Sequence, residues 1–425
     1  MNKLPPLEFL DSLSDFGIKL GLDKTIYYLE KLGKPHYKYP SVLVAGTNGK
    51  GSVCKALSKI LQFSGYKVGL YTSPHLIDVK ERIRINEEKI KEEEFIQKIE
   101  QLRKIIEKQP DHLYPTYFEA LTIIAFSYFY DKKIDILVCE VGMGGRFDAT
   151  NVLPSFINVI TKIGLDHMEF LGKTYREIAN EKAGIIKEKT IVLSAKQRQE
   201  AYEVIKKKAK EKKSKLLTFG KDFKGKIVSI SPDGMIFDFK GIQKIEKIKT
   251  DLIGTHQVEN LSIAIETSLI LKEKGYNIEE SFIREALENV NWDARFQILQ
   301  KKPYIIFDGA HNVDGVKNLM KNLKKIFPKE KFSFLVGILK EKDYKNMIKI
   351  FEKYPERIIF TKPNSDRAIE PQILANIVKD KNKVKIIENP KTAYKYIKKT
   401  KENWLIFGSL YLASDILSNR GKKWK

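Results

Sequence analysis

The sequence is poor in cysteine, in long apolar runs and in acidic residues, and each shortage excludes a class of protein. Its two cysteines, Cys54 and Cys139, have neither a metal-binding nor a redox spacing, so we expect reduced thiols in the core. No apolar targeting segment opens the chain, and the longest apolar stretch, residues 120–130, is far shorter than the ~20 residues of a membrane span. These shortages favour a cytoplasmic protein with no membrane partner.

The shortage of acids leaves a strongly basic chain, with 77 lysines and arginines against 54 acidic residues and a net charge of +23. Such a surface attracts anions, whether nucleic acids or polyanionic small substrates. Lysine runs such as residues 206–213 have the pattern of solvated helix faces, and no basic stretch alternates with stacking aromatics. We therefore expect no nucleic-acid partner. With 42% hydrophobic residues, the 425-residue chain has the composition of a globular protein of two or more domains.

The most informative stretch lies at residues 42–65. A short apolar strand ends in Gly46-Thr-Asn-Gly-Lys50-Gly-Ser52, and the helical pattern that follows stops at Gly65. Backbone N–H groups at such a helix start face an anion, and Lys50 can reach the terminal phosphates of a nucleotide. The spacing differs from the usual G-x-x-x-x-G-K-[ST] loop, since Val44 replaces the first glycine and Gly51 separates Lys50 from Ser52. A glycine-rich turn that binds nothing fits this context less well.

Polar residues follow several of the predicted strands at the point where each strand ends. Strand 67–72 leads into Ser73-Pro-His-Leu76 and then into a polar loop at residues 81–84, and strand 134–140 ends in Glu140. Open parallel sheets bind ligands at the carboxyl ends of their strands. A carboxylate there, facing the phosphate loop, offers the oxygen ligands that Mg²⁺ prefers.

The element pattern predicts an α/β protein of two domains. Residues 1–293 form a phosphate-loop domain with a parallel sheet, to which the hairpin pattern of residues 227–239 adds a small antiparallel β segment. Residues 294–425 form a Rossmann-like α/β domain, joined through a junction at residues 290–302. Its predicted strands are 304–307, 332–336, 357–360, 384–387 and 405–407, in an open parallel sheet, and its predicted helices are 313–326, 343–353, 370–379, 391–399 and 410–418.

Seven motifs in order, with a C-terminal Gly408-Ser-Leu-Tyr-Leu412, make the chain resemble a known enzyme family over nearly its whole length. The motifs are residues 46–52, 72–76, 140–151, 165–167, 181–185, 256–260 and 308–312. They resemble the folylpolyglutamate synthase and dihydrofolate synthase family, of the bacterial bifunctional type, which is related to the Mur ligases. The resemblance implies an ATP-binding Mur ligase-like N-terminal domain, a glutamate ligase C-terminal domain and a monomer. It also implies ATP-dependent addition of L-glutamate to dihydropteroate, to folates or to both, through an acyl phosphate, in folate biosynthesis.

The resemblance also implies a role for individual residues. The expected ATP-binding residues are Gly46, Thr47, Asn48, Gly49, Lys50, Gly51, Ser52, Asn260, Arg295, Asp308 and His311, with the loop amides of residues 48–52 and Arg295 on the phosphates and Asn260 and Asp308 on the nucleoside. Ser73 and Glu140 are expected to bind one Mg²⁺ ion and His167 a second. Arg82, His311 and Ser409 are expected near the glutamate, and the expected catalytic residues are Lys50, Lys182, His167 and Arg82.

Lys182 matches the lysine that this family and the Mur ligases commonly carry as a carbamate, N6-carboxylysine. A lysine kept near neutral by a desolvated site has a free amine for CO₂, and the product is an anion. Lys187 serves as the bystander in this prediction.

The sequence departs from the family pattern at two places. Trp292-Asp-Ala-Arg295 stands where the family commonly has Trp-Pro-Gly-Arg, and Val313 stands where it has proline. Two alternatives are a Mur-type amino-acid ligase, disfavoured because only about 45 residues precede Gly46, and a non-ligase P-loop nucleotide-binding protein.

Overall fold

A parallel strand, β1, occupies an interior position of the larger sheet and leads directly into the glycine-rich loop. The structure is a computed structural model that describes residues 4–417 except positions 18 and 20. The strands of the first sheet are β1 (Ser41–Ala45), β2 (Val68–Tyr71), β3 (Ile83–Ile85), β4 (Glu88–Lys89), β5 (Ile136–Glu140), β6 (Ile157–Ile160), β7 (Ile191–Ser194) and β8 (Lys215–Thr218). Their order is β4-β3-β2-β5-β1-β6-β7-β8, and only β3 and β4 run antiparallel to their neighbours.

Helices cover both faces of this sheet, which explains why its interior strands are apolar throughout. The helices of this part are α1 (Pro6–Ser12), α2 (Asp23–Lys31), α3 (Lys50–Phe63), α4 (Glu92–Ile106), α5 (Tyr117–Asp131), α6 (Met168–Leu171), α7 (Tyr175–Ala183), α8 (Gln199–Glu211), α9 (Gln257–Glu273) and α10 (Glu280–Glu288). Successive side chains of β1 enter different cores: Leu43 and Ala45 pack with α5, whereas Val42 and Val44 pack with α3 and α9. The loop after β1 is therefore anchored on both sides.

A small antiparallel sheet lies between α8 and α9 in the chain. It consists of β9 (Lys224–Ser231), β10 (Gly234–Lys240) and β11 (Lys244–Thr250). Met235, Phe237 and Phe239 of β10 alternate into the same core as α3 and α9. The small sheet therefore belongs to the first part of the molecule.

The C-terminal part is a six-stranded sheet with its own helices. Its strands are β12 (Gln297–Lys301), β13 (Tyr304–Phe307), β14 (Ser333–Val336), β15 (Ile358–Phe360), β16 (Val384–Ile386) and β17 (Trp404–Phe407), and its helices are α11 (Val313–Ile326), α12 (Tyr344–Phe351), α13 (Pro371–Ile377), α14 (Pro390–Ile397) and α15 (Leu410–Leu417). The order is β12-β13-β17-β14-β15-β16, with β12 alone antiparallel. No helix in the described part of the chain is long and apolar enough to cross a membrane.

The predicted fold class, with parallel sheets and one antiparallel segment, is confirmed, and the errors fall on short edge strands. Residues 81–84 are not a loop, because the chain enters β3 at Ile83 after a turn of 3₁₀ helix. The predicted hairpin has a third strand, β11, and β12 occupies the predicted junction, so the second sheet is not purely parallel. The last residue of the predicted helix 410–418 lies outside the described residues.

Candidate active site

The loop between β1 and α3 is pressed against the ends of β6 and α9. Gly46 and Gly49 have φ values of 148° and 96°, in the region that favours glycine. A Cβ atom on Gly46 would lie 1.8 Å from Thr161 Oγ1, and one on Gly49 would lie 2.4 Å from Asn260 Oδ1. The predicted nucleotide residue Asn260 therefore packs directly on the loop.

The backbone N–H groups of this loop do not all face outward. Those of Thr47 and Asn48 donate to the carbonyl of Lys162 at 2.9 and 3.1 Å. The Asn48 N–H, which the sequence predicts on phosphate, is used here to tether the loop to the end of β6. The N–H groups at the start of α3 have no acceptor within their own helix and remain the candidates for an anion.

Lys50, Glu140 and Ser73 come together although they lie on three different segments. Lys50 Nζ is 3.9 Å from Glu140 Oε1, and the other carboxylate oxygen accepts a hydrogen bond from the Ser73 N–H at 3.2 Å. Burial raises the pKa of Glu140, while the charge of Lys50 and the Ser73 N–H act against that rise. The carboxylate at the end of β5 thus faces the phosphate loop, as the sequence predicts.

These groups have the chemistry of a shared magnesium site. Within the described part of the chain, no three His, Cys, Asp or Glu side chains are arranged to hold a metal ion by themselves. Mg²⁺ in nucleotide enzymes is usually held by one or two carboxylates together with substrate phosphates. Glu140, with the Ser73 hydroxyl as a second oxygen, fits an ion bound jointly with phosphate.

Lys182 lies behind the loop and bonds to it. Its Nζ donates to the carbonyl of Gly46 at 3.0 Å, and Lys50 Nζ is 3.2 Å from the same oxygen. Burial, assisted by the charge of Lys50, lowers the pKa of Lys182 to about 7, so a large share of this amine is neutral near neutral pH. The pKa of His167 falls to about 4, because protein atoms desolvate its imidazole even though part of its surface reaches solvent.

Lys187, which the sequence predicts to be a bystander, forms hydrogen bonds within the protein. Its half-buried Nζ donates to the backbone and side-chain oxygens of Asn151 at 2.6 and 2.7 Å. Burial lowers the pKa of Lys187 to about 8.

On one side of the phosphate loop, the two domains join through polar groups that satisfy one another. We call Asp166, Lys342, His311, Asn312 and Asn48 the paired side. Lys342 Nζ is 2.7 Å from an Asp166 oxygen, each side chain is 8% exposed, and Asn312 Nδ2 is 3.2 Å from the other oxygen. Asn312 also exchanges hydrogen bonds with Asn48 of the phosphate loop at 3.1 and 3.4 Å. His311, predicted to contact ATP or glutamate, lies 3.5 Å from Asp166.

Asp166 is the centre of this junction. Burial alone would raise the pKa of its carboxyl, but the hydrogen bond from His311 and the charges of His311 and Lys342 hold that pKa well below its ordinary value. The carboxylate therefore stays ionised.

Two predicted ligand residues of the C-terminal domain serve local structure. The carboxylate of Asp308 accepts hydrogen bonds from the N–H groups of Phe296 and Ala310 at 2.9 and 2.8 Å, and burial raises its pKa. Ser409 is buried, and its Oγ accepts the Tyr411 N–H at 3.0 Å. Both oxygens of Asp308 thus fix the loops around it, which the sequence did not indicate.

Arg295 lies between two residues with unusual backbone geometry. Ala294, which occupies the position of the family's common glycine, has a φ of 58°, and Phe296 has a φ of 45°. Non-glycine residues in this region carry strain of roughly 1–2 kcal/mol each. Arg295 Nη1 bonds only to the neighbouring carbonyl of Ala294, at 3.0 Å.

On the other side of the phosphate loop, a cleft opens between the domains. Its lining is Gly51, residues 72–76, Glu81, Arg84, Glu140, Trp292, Asp293, Arg295 and Leu410. Arg82 stands beside it, with Nε 2.9 Å from His75 Nδ1 and its guanidinium over the Tyr117 ring at 5.9 Å. We call the arginines 82, 84 and 295 the open side, because among the described residues none of them has an acidic side chain within 4.0 Å.

Sequence reasoning missed four residues around the junction: Asp166, Lys342, Arg84 and Trp292. The indole of Trp292 approaches α3 so closely that a Cβ on Gly51 would lie 2.8 Å from its Nε1. Arg84 lies two positions after Arg82, and Asp166 immediately precedes the predicted ligand His167. Their positions in the sequence therefore gave a weak indication that both lie at the site. Lys342 carried none, because its partner lies 176 positions away.

Family models match both halves of the chain. Residues 44–268 match the Mur ligase middle domain, and residues 294–409 match the Mur ligase glutamate ligase domain. The two matches together include β1 to α9 of the first part and most of the second.

Individual proteins are similar over nearly the full length. The dihydrofolate synthase/folylpolyglutamate synthase of Bacillus subtilis is 38% identical over 409 residues, covering 94% of this chain and 95% of the relative. The crystal structure of Thermotoga maritima folylpolyglutamate synthase has a TM-score of 0.86 at 36% identity, covering 97% and 96% of the two chains. E. coli FolC in complex with DHPP and ADP has a TM-score of 0.86 at 26% identity, covering 97% of each chain.

Proposed function

The chain belongs to the Mur ligase family, within the group of folylpolyglutamate and dihydrofolate synthases, and we propose that it joins L-glutamate to dihydropteroate and to folates. It is an ATP-dependent ligase. The observation that carries the proposal is the meeting of Lys50, Glu140 and Ser73 at an interdomain cleft lined by the start of α3. E. coli FolC was solved with DHPP and ADP, which supports a pterin-bearing acid as the first substrate.

The reaction has two steps. A carboxylate oxygen of the first substrate attacks the γ-phosphorus of ATP, ADP leaves, and an acyl phosphate forms. The amine of glutamate then attacks the acyl carbon, inorganic phosphate leaves, and the amine loses a proton as the amide bond is made. Both steps require neutralised phosphate charge and exclusion of water.

The residues of this chain divide these tasks. Lys50 and the N–H groups at the start of α3 hold the phosphates, and Arg295 reaches them from the other domain. Thr47, Gly46 and Gly49 shape the loop, while Asn260 and Asp308 border the nucleoside. Arg82, His311 and Ser409 surround the glutamate.

Two bound groups complete the site in this proposal. Ser73 and Glu140 would hold one Mg²⁺ ion and His167 a second, and bound Mg²⁺ would neutralise the phosphate oxygens. Lys182 carries a carbamate: its neutral Nζ bonds to the carbon of CO₂ and releases a proton. The buried cation behind Gly46 then becomes an anion with oxygen donors.

We further propose a domain boundary near residue 293, a monomer, a cytoplasmic location and no nucleic-acid partner. Supporting the boundary, the cores of the first part end near Val290, and those of the second part include Phe296 and the later strands. Gel filtration with light scattering tests the monomer.

A substrate panel tests the function. Purified protein with ATP, Mg²⁺ and L-glutamate should release phosphate only when dihydropteroate or a folate is added, and mass spectrometry should show products one glutamyl unit heavier. Glu140→Gln should form no product, whereas Glu188→Gln, which changes a 75% exposed side chain, should behave as wild type. Phosphate release that follows added nucleic acid instead would contradict the proposal.

A further inference from the structure

Arg84 differs from Arg82 in where the sheet directs it. In the β2–β3 pairing Arg84 lies opposite Leu70, which packs in the core with α3, while Ile83 lies opposite Tyr71, which packs in the core with α5. Arg82 lies in the 3₁₀ turn before β3, outside the paired residues, and reaches Tyr117 on α5, whereas Arg84 lines the interdomain cleft beside Trp292. The two arginines therefore serve different places.

The guanidinium of Arg84 is held in position by backbone oxygens alone. Its Nε donates to the carbonyl of Glu81 at 3.1 Å, and its Nη1 donates to the carbonyl of Glu87 at 3.4 Å. These two carbonyls fix the plane of the guanidinium and leave its other N–H donors available. A planar guanidinium held in one orientation matches the geometry of a carboxylate.

The acids near Arg84 are already engaged by other groups. The carboxylate of Glu87 pairs with Lys55 and Lys59, and that of Glu81 accepts the Leu76 N–H and pairs with Lys89. Among the residues that the structure describes, Arg84 has no acidic partner within 4.0 Å. Its positive charge is thus available to a ligand in the cleft.

Leu410, the residue after Ser409, lines the same cleft as Arg84, and so does Glu140. An amino acid held near Ser409 would extend toward Arg84 and present an anionic group there. Of the proposed substrates, L-glutamate carries two carboxylates that stay free in the reaction.

We propose that Arg84 binds the side-chain carboxylate of the incoming L-glutamate and so selects a dicarboxylic amino acid. This inference rests on the proposed function and adds a specificity residue to it. Loss of a charged partner for a substrate carboxylate costs the cognate substrate far more than a neutral analogue that never used it.

Steady-state kinetics of Arg84→Met test the inference. The KM for L-glutamate should rise at least 20-fold, with the KM values for ATP and dihydropteroate within twofold of wild type. The preference for L-glutamate over L-glutamine should fall by a similar factor. Arg84→Lys should recover part of the loss, and Arg357→Met, which removes a 60% exposed arginine, is the matched control.

The contrary outcomes are distinct. An unchanged KM for glutamate, a rise in the KM for ATP alone, or a rise only for substrates with a glutamyl tail would each overturn the assignment. Circular dichroism melting separates these results from misfolding. If wild-type protein releases no phosphate with glutamate, the proposed function fails, and calorimetric binding of L-glutamate to wild type and Arg84→Met then decides the role of Arg84.

Discussion

The two sides of the phosphate loop show opposite arrangements of charge. On the paired side, Asp166 meets Lys342, His311 and Asn312, and Asn48 meets Asn312, so protein groups satisfy one another. On the open side, the hydrogen bonds that arginines 82, 84 and 295 make within the described residues go to carbonyls or to a histidine. Domain association therefore rests mainly on Asp166, Lys342 and Asn312, and ligand binding mainly on the arginines, with His311 given a part in both. Either function can be altered at one of its own residues while the other is measured.

The largest effect is expected where the open side meets the phosphates. Lys50→Ala should lower kcat/KM by about 10³-fold, the loss typical when one preorganised stabilising donor is removed. The Lys50 side chain is only 16% exposed but belongs to none of the hydrophobic cores, so the melting temperature should stay near that of wild type. Lys206→Ala, on an exposed face of α8, is the control. Near-normal ligation by Lys50→Ala would remove the phosphate loop from the mechanism.

Lys182 lies behind the loop, and its replacement should have the next largest effect. Lys182→Ala should lower kcat about 10²-fold if a carbamate acts there. In wild type, ¹³C-labelled CO₂ should give a carbamate NMR signal that is absent from the variant. Because only the neutral amine reacts and the pKa of Lys182 is about 7, the signal should weaken as pH falls through 7. Full activity of wild type in CO₂-depleted buffer would contradict the carbamate.

Breaking the paired side should affect stability first and catalysis second. Lys342→Met leaves the buried Asp166 carboxylate with His311, Asn312 and the backbone N–H of His167, and the free energy of unfolding should fall by about 3–5 kcal/mol. Activity should fall about tenfold. Adding Asp166→Asn should restore part of the stability, since the uncompensated charge is gone, and denaturant titration of the four proteins measures this coupling. Strictly additive losses would show that the two side chains are independent.

Salt should have the smallest effect and should separate the two sides. Raising NaCl from 50 to 500 mM screens accessible charges, so the KM values for ATP and glutamate should rise a few-fold. The coupling between Lys342 and Asp166 should change little, because both side chains are almost fully covered. If salt changed the KM values and the coupling between Lys342 and Asp166 equally, the paired side and the open side would not differ as proposed.

The parts predicted from sequence are those that local chemistry determines. β1, β5 and β6 are continuous buried runs, and Glu140 is an acid at the end of such a run. Its position at the strand end and its proximity to the phosphate loop could therefore be inferred. β4 has two residues, too few to show a period, and β12 is as long as β1 but shows no alternation of buried and exposed side chains. The pairing of Asp166 with Lys342 depends on how two finished domains dock, and no local pattern encodes it.

Asp308 shows a second limit of sequence reasoning. Its position in a ligand-like motif indicated a nucleoside contact, yet two backbone N–H groups occupy its carboxylate. An acid that supports the site and one that touches the ligand look alike in sequence.

The paired side also restricts how the molecule can move. Because Asp166, Lys342 and Asn312 fasten one edge of the junction, a rotation about that edge would open the cleft and keep these contacts, whereas a translation would break them. In such a rotation the displacement of a residue grows with its distance from the axis. The phosphate end, which lies next to the axis through Asn48, would hardly move, while Leu410 and Arg84 would separate most. Substrates would then enter and leave between Leu410 and Arg84, while the nucleotide stays bound next to the rotation axis.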